Sequence, residues 1–209
     1  MPTIAFLGVR AHIFKPYTEF LGYDVVILDH YTKIRSYHDL VICFGYYHVI
    51  PPDVLKIPKL GIYVVHETDL PEGRGHAPLN WTILNKKDRL TVTLFKAEGE
   101  VDAGPTVCKR SIPISKYQTI RDLRELANRL TLGILRDCLI SLISGTPTLT
   151  PQIGNPTYYN KRNPDDSEID INKSILDQWD LIRATQNPDY QTFFKINGVR
   201  FNLIIEKKL

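Results

Sequence analysis

The stretch "GIYVVHETDLPEGRGHAPLNW", residues 61–81, changes character at His66. Residues 61–66 are short and apolar throughout, the pattern of a strand buried on both faces. His66 to Trp81 then holds three carboxylates, two His, one Arg, two Pro and two Gly. That run is too polar and broken for core, and too irregular for a solvated helix. A buried strand that delivers a histidine into a proline-stiffened loop places it at the carboxyl edge of a sheet, where ligands of open α/β folds bind.

The surrounding sequence supports that sheet. Apolar runs at 3–9, 24–29 and 39–45 read as further strands. Helical segments are expected at 13–22, interrupted near Pro16, at 51–57, which opens on prolines, and at 76–84. Continuously apolar strands alternating with helices predict an α/β fold: a Rossmann-like, mostly parallel sheet with helices on both faces. Two β-rich runs, 89–99 and 105–114, flank the loop "AEGEVDAG" as a hairpin-like pair added to the sheet. Ile120, Leu123, Leu126, Leu130, Ile134, Cys138 and Leu142 recur at helical spacing, so 119–144 is the longest helix, ended by Gly145 and Pro147. A Pro/Asn/Thr-rich connection follows at 146–172, then a helix at 174–185 capped by Ser174 or Asn172, and a β-hairpin turning at Asn197-Gly198. The expected division is a catalytic unit at 1–148 and a small C-terminal α+β extension at 149–209.

The composition is that of a globular domain, 43% hydrophobic and 23% charged. A net charge of +3 is too mild to imply nucleic acid or an anionic membrane, although it suits an anionic small ligand. Cys43, Cys108 and Cys138 lack metal-ligand spacing and read as reduced thiols in a cytoplasmic protein; no metal is expected. No signal peptide or membrane span is legible.

His66, Leu70-Pro71, Arg74-Gly75, Pro78 and Trp81, followed by "VDAGP" at 101–105, resemble the signature of the 10-formyltetrahydrofolate-dependent formyltransferases. That superfamily includes enzymes acting on methionyl-tRNA, on glycinamide ribonucleotide and on amino sugars. "FGYYHVIPPDVL" (44–55) is similar to its segment lining the folate pocket, and 161–185 to the tail of the sugar N-formyltransferases. The resemblance spans about 40–185. It implies a formyltransferase fold with His66 and Asp102 catalytic and 10-formyltetrahydrofolate as cosubstrate. The folate would be held by Tyr47, His48, Val49, Ile50, Thr68, Leu70, Pro71 and His76, and by Glu98, Gly99, Glu100, Val101 and Asp102. The chain departs from the family at Val64, where most members carry an Asn that helps hold the formyl oxygen; Asn80 is a candidate substitute by residue type, although capping or packing in the 76–84 helix is its expected role.

Formyl transfer is acyl transfer to an amine, so the site needs a donor for the developing oxyanion and a route for a proton. Asp102 would orient the His66 imidazole, Gly73 and Gly75 would permit the loop's dihedrals, and Trp81 would anchor the next helix in the core. The tail resemblance favours a UDP- or dTDP-linked 4-amino-4,6-dideoxyhexose as acceptor, with Arg74, Asn80, Tyr159 and Arg162 as substrate-binding residues. A homodimer is left open. "FLGVR" offers only one Gly for the phosphate loop that glycinamide ribonucleotide needs, and tRNA would favour a strongly basic face. These two acceptors, and a degenerate folate-binding module without turnover, remain as alternatives.

Overall fold

In a computed structural model, which describes residues 2–186 and 190–208, the four apolar runs form parallel strands. They are β1 (Ile4–Leu7), β2 (Val25–Leu28), β3 (Leu40–Phe44) and β4 (Ile62–His66). The two-residue β5 (Arg74–Gly75) stands apart from this sheet. β6 (Arg89–Lys96) joins β4 antiparallel, and β7 (Thr106–Pro113) joins β6 the same way. The order is β2-β1-β3-β4-β6-β7. β1 and β3 are buried at every position, because strands pair on both sides of them and side chains cover both faces. β2 is the edge, and Val26 and Ile27 are exposed.

Side-chain alternation splits the core into two unequal layers. Ile4, Phe6, Ile42, Phe44, Tyr63 and Val65 face α1 (Ala11–Phe20), α3 (Pro78–Leu84) and α4 (Ile120–Ile143). The opposite face carries Ala5, Leu7, Val41, Cys43 and Ile62. The single turn α2 (Pro52–Leu55), the loops around it, and Tyr31 and Ile34 of the β2–β3 connection cover that side. Between β2 and β3 the chain makes just a 3-10 turn at Tyr31–Lys33, so no crossover helix fills the space. The thinly covered face is where a ligand slot opens.

α4 follows the expected spacing, with Leu126 and Leu130 only partly buried. The Asp122 carboxylate accepts from the Thr119 N–H at its start. At its end Gly145 N–H bonds the Leu142 carbonyl and Thr146 N–H the Ser141 carbonyl, with Gly145 at φ +73°. α1 runs through Pro16 rather than breaking there.

The C-terminal segment folds back on this frame. β8 (Tyr158–Tyr159) pairs with β5, and α5 (Trp179–Ala184) packs on α3. α5 starts five residues later than its expected onset at 174. Ser174 Oγ caps Asp177 N–H and Gln178 bonds both backbone groups of Asp170, so side chains satisfy turns where a helix was expected. β9 (Phe193–Ile196) and β10 (Val199–Asn202) form the hairpin, with Asn197 at φ +50° and Gly198 at φ +81°. All three cysteines are free; burial pushes the Cys43 thiol up to about 12, and Cys108 Sγ lies 2.8 Å from Cys138 Sγ. Among the described residues no helix is long and apolar enough to cross a membrane. Nor, among them, do three His, Cys, Asp or Glu gather to hold a metal ion.

Candidate active site

β4 carries His66 at its carboxyl end, where the ring is nearly buried. Nε2 donates to the Gly73 carbonyl at 2.8 Å, a bond internal to the loop. Nδ1 faces the Asp102 carboxylate at 3.9 Å, a gap too long for a direct hydrogen bond. His66 and Asp102 both line one cavity and Gly73 does not, so Nδ1 is the nitrogen turned toward that cavity.

Asp102 is held from three sides. Its carboxylate accepts from the Gly75 N–H at 2.8 Å. Its backbone sits in the left-handed region at φ +55°. Its carbonyl and that of Gly104 each accept from Gln152 Nε2 at 2.8 Å. Gly104 must be glycine: a Cβ there would meet the Lys96 carbonyl at 1.8 Å. Gln152 Oε1 in turn accepts from Arg74 Nη2 at 2.8 Å. Arg74 also reaches the Tyr158 hydroxyl. This makes Arg74 part of the scaffold behind Asp102, and it lines neither of the site's two cavities.

The cavity of about 170 Å³ beside His66 is a slot on the thin face of the sheet. Tyr47, His48, Val49 and Ile50 line it together with Glu98, Gly99, Glu100, Val101 and Asp102. His76 and Val64 line it too. Tyr47 is 65% exposed and Val49 68%, apolar rim area that a flat ligand would cover. Thr68, Leu70 and Pro71 do not line the slot. Leu70 is fully buried and joined to Pro71 by a cis peptide, while the Thr68 carbonyl accepts from Thr93 Oγ1. These three shape the loop that carries Gly73. Val64 presents an apolar side chain where the family places its Asn. Asn80 is outside the slot but lines a second, adjoining cavity, and its amide donates to the Ala184 carbonyl at 2.7 Å, tying α3 to α5.

A second cavity of about 410 Å³ adjoins the slot on the helix side and shares Gly45, Tyr47, Glu67 and His76 with it. Its charge is lopsided. Arg10, Arg124, Lys161 and Arg162 line it, against the single carboxylate of Glu67. Burial, then the charge of Arg124, lowers the Arg10 guanidinium to about 10; it stays protonated at neutral pH. Burial also lowers Arg162, whose Nη2 donates to the Asp166 carbonyl and whose plane lies over Trp81. Arg10 Nε and Arg162 Nε are buried without a hydrogen-bond partner. Tyr159 is outside both cavities, stacked on Trp81 at 5.7 Å. Trp81 is itself half-buried rather than core, and donates to the Asn160 carbonyl. It pins the 158–162 segment, which brings Lys161 and Arg162 to the cavity.

The sequence reading missed Arg10, Glu67, Arg124, Lys161 and Gln152. Arg10 follows the first strand directly and Glu67 follows His66, so both were placeable at the sheet edge. Arg124 and Gln152 carry no local signal.

Residues 20–133 match the family model described as formyl transferase. The chain is 31% identical over 162 residues to the bifunctional polymyxin resistance protein ArnA of Wigglesworthia glossinidia brevipalpis. That match covers 77% of this chain but only 24% of the relative, so the chain spans about a quarter of that protein's length. A sugar N-formyltransferase from Shewanella sp. superposes with a TM-score of 0.78 at 14% identity, covering 99% of this chain and 98% of that one. HypX from Aquifex aeolicus in complex with tetrahydrofolic acid gives 0.82 at 20% identity, over 97% of this chain and 37% of that one. With the model matching more than half of its length, the chain belongs to the formyl transferase family.

Proposed function

We propose that the chain moves the formyl group of 10-formyltetrahydrofolate onto the primary amine of a nucleotide-linked amino sugar. The observation that carries this reading is the meeting of two unlike cavities at the end of β4. One is a narrow slot with an apolar rim, walled by two loops and holding His66 and Asp102. The other is wider and cationic. The slot suits a pterin recognised through loop backbone, with His66 and Asp102 as the catalytic pair. The cationic cavity suits a diphosphate, with Arg162, Lys161 and Arg124 as its binding groups. The ArnA relative and the sugar N-formyltransferase neighbour support an amino-sugar acceptor in particular.

In this reading His66 Nδ1, turned to the slot, donates to the oxygen on which charge develops. Asp102 holds the ring in that orientation and balances its charge. Val64 contributes no donor, so His66 bears more of the oxyanion stabilisation than it would beside an Asn. One such donor is commonly worth about 100–1,000-fold in rate. A tRNA acceptor is disfavoured, because the cationic groups are gathered in a cavity rather than spread over a face. Glycinamide ribonucleotide shares the anionic requirement and is the competitor to test. The experiment is mass spectrometry of parallel reactions with UDP- and dTDP-linked amino sugars, glycinamide ribonucleotide and methionyl-tRNA. Addition of one formyl group to an amino-sugar nucleotide is expected. Formylation of glycinamide ribonucleotide or tRNA alone would overturn the sugar reading. No turnover, with folate still bound, would favour a binding module.

A further inference from the structure

We propose that Cys108 and Cys138 are an oxidisable thiol pair, which a hydroperoxide closes into a reversible disulfide that fastens α4 to the edge strand β7 and stabilises the fold. The pair lines neither cavity of the candidate active site. The inference goes beyond the formyl-transfer reading and stands or falls without it.

The two thiols are brought together by a strand face and a helix face. β7 is the last strand of the six-stranded sheet and has a partner on one side only. Cys108, Arg110 and Ile112 alternate along it, as residues sharing one face of a strand must. That face lies against α4. Cys108 and Ile112 pack on the cluster that holds Ile134, Cys138 and Leu142, and Arg110 Nε donates to Asp137 Oδ2 at 3.0 Å. Cys108 Sγ and Cys138 Sγ are 2.8 Å apart, so a shift of less than about 1 Å brings them to the roughly 2.05 Å of a bond. Cys108 is half-buried at the open edge of the sheet, where a small oxidant can approach, and Cys138 lies beneath it. Cys43 is buried on the opposite face, with its thiol pushed up to about 12, and serves as the internal control.

The surroundings also divide the roles of the pair. The hydrogen bond from Cys108 lowers the Cys138 thiol, and the Arg110 guanidinium acts the same way against burial and Asp137. The same bond, and then burial, raises the Cys108 thiol. Cys138 therefore reaches the thiolate first and is the nucleophile. The step balances with hydrogen peroxide as the oxidant. The Cys138 thiolate attacks one peroxide oxygen, the O–O bond breaks, and the departing hydroxide takes a proton to become water. The sulfenic acid formed at Cys138 is then attacked by Cys108 sulfur, which gives up its proton as the S–O bond breaks and a second water leaves. Two thiols are oxidised to one disulfide, and one peroxide is reduced to two waters.

The place of the bond gives it an effect. β7 anchors two segments of the candidate active site. Lys109 Nζ donates to Asp69 Oδ1 at 2.6 Å and to the Leu70 carbonyl, in the loop that carries Gly73. Thr106 and Thr150 exchange backbone hydrogen bonds at 2.8 Å, two residues before Gln152. A cross-link between positions thirty residues apart holds that strand to the longest helix and restricts the unfolded chain.

The test treats the wild-type chain with hydrogen peroxide, unfolds it without reductant and alkylates it. One cysteine, Cys43, should be labelled instead of three. A non-reduced digest should contain the Cys108 peptide joined to the Cys138 peptide, and the intact mass should show two hydrogens lost and no oxygen gained. Tm should rise by roughly 7–15 °C for a loop of this length in a chain of this size, and fall back with dithiothreitol. Cys108→Ser and Cys138→Ser should each show no such rise after the same treatment. Three labelled cysteines, a bond through Cys43 or between two chains, or sulfinic acid in place of the bond would overturn the proposal. So would an unchanged Tm in the bonded form. The digest reads the bond in the wild-type chain, so it decides the matter even if a serine variant fails to fold.

Discussion

Gln152→Ala tests whether Asp102 is positioned from behind. Gln152 lies on the connection after α4, roughly fifty residues from Asp102, and touches neither cavity. Its amide donates to the carbonyls of Asp102 and Gly104 and accepts from Arg74. Each bond to a backbone carbonyl contributes about 1 kcal/mol net, and a bond to a charged donor about 1.5–3. Arg74 is 8% exposed, its Nε is already unpartnered, and only the Tyr158 hydroxyl would remain to it. The truncation should therefore cost about 3–5 kcal/mol, a fall of roughly 6–20 °C in Tm for a chain of this size. The effect on turnover should exceed what lost stability explains. The Asp102 loop would lose both of its Gln152 bonds and with them the distance to His66, and an error of about 1 Å at a reacting group can cost roughly 100-fold. The assay pairs thermal denaturation with kcat and KM for formyl transfer at a temperature where the variant is folded. KM for folate should rise as well, because the same loop walls the slot. Unchanged Tm and unchanged kcat would refute the scaffold argument and return Arg74 to candidacy as a ligand group.

Asp102→Asn should keep the Gly75 contact but lose the charge facing His66 Nδ1, and His66→Asn should lose the donor altogether. Each is expected to lower kcat by about 100-fold or more with folate binding by calorimetry intact. Gly104→Ala should abolish activity and lower Tm, since its Cβ has no space before the Lys96 carbonyl; circular dichroism with turnover decides it. Arg162→Gln and Lys161→Ala should raise acceptor KM roughly 10-fold while sparing folate KM, read from initial rates at varied acceptor. Burial holds the His38 imidazole below its ordinary 6.5, with Arg35 adding to the effect. The native state then binds a proton less readily than the unfolded chain, so stability is full above pH 6.5 and is lost as pH falls below it. His38→Gln should flatten that decline in urea titrations run across the window.

The parts legible in the sequence were those whose information is local. The strand ending in His66 shows as an apolar run up to that residue, α4 shows as apolar spacing between a Thr119 start and a Gly145 stop, and the final hairpin shows as Asn197-Gly198. The slot loops were legible for a related reason. Residues 47–50 and 98–102 each directly follow a strand, so placing the strand placed the loop. The second, cationic cavity was not legible, because its charge converges from four separate places in the chain. Arg10 follows β1, Glu67 follows β4, Arg124 sits on α4 and Lys161-Arg162 ride on the segment pinned by Trp81. A net charge of +3 hides such a gathering, since total charge says nothing of distribution. Side-chain partners were not legible either. Arg74, Asn80 and Tyr159 each make a contact between the frame and the C-terminal segment, Arg74 with Gln152, Asn80 with Ala184 and Tyr159 with Trp81 of α3, and of the three Asn80 also lines the second cavity. The segment after α4 contributes Lys161, Arg162 and Tyr190 to the wall of that cavity. Changes in residues 150–190 should alter which anionic amine is accepted while leaving the chemistry at His66 unchanged. Grafting that segment from a formyltransferase of different acceptor should move acceptor KM and leave the Kd for 5-formyltetrahydrofolate in place. Loss of folate binding in a folded graft would show instead that the two cavities are energetically one.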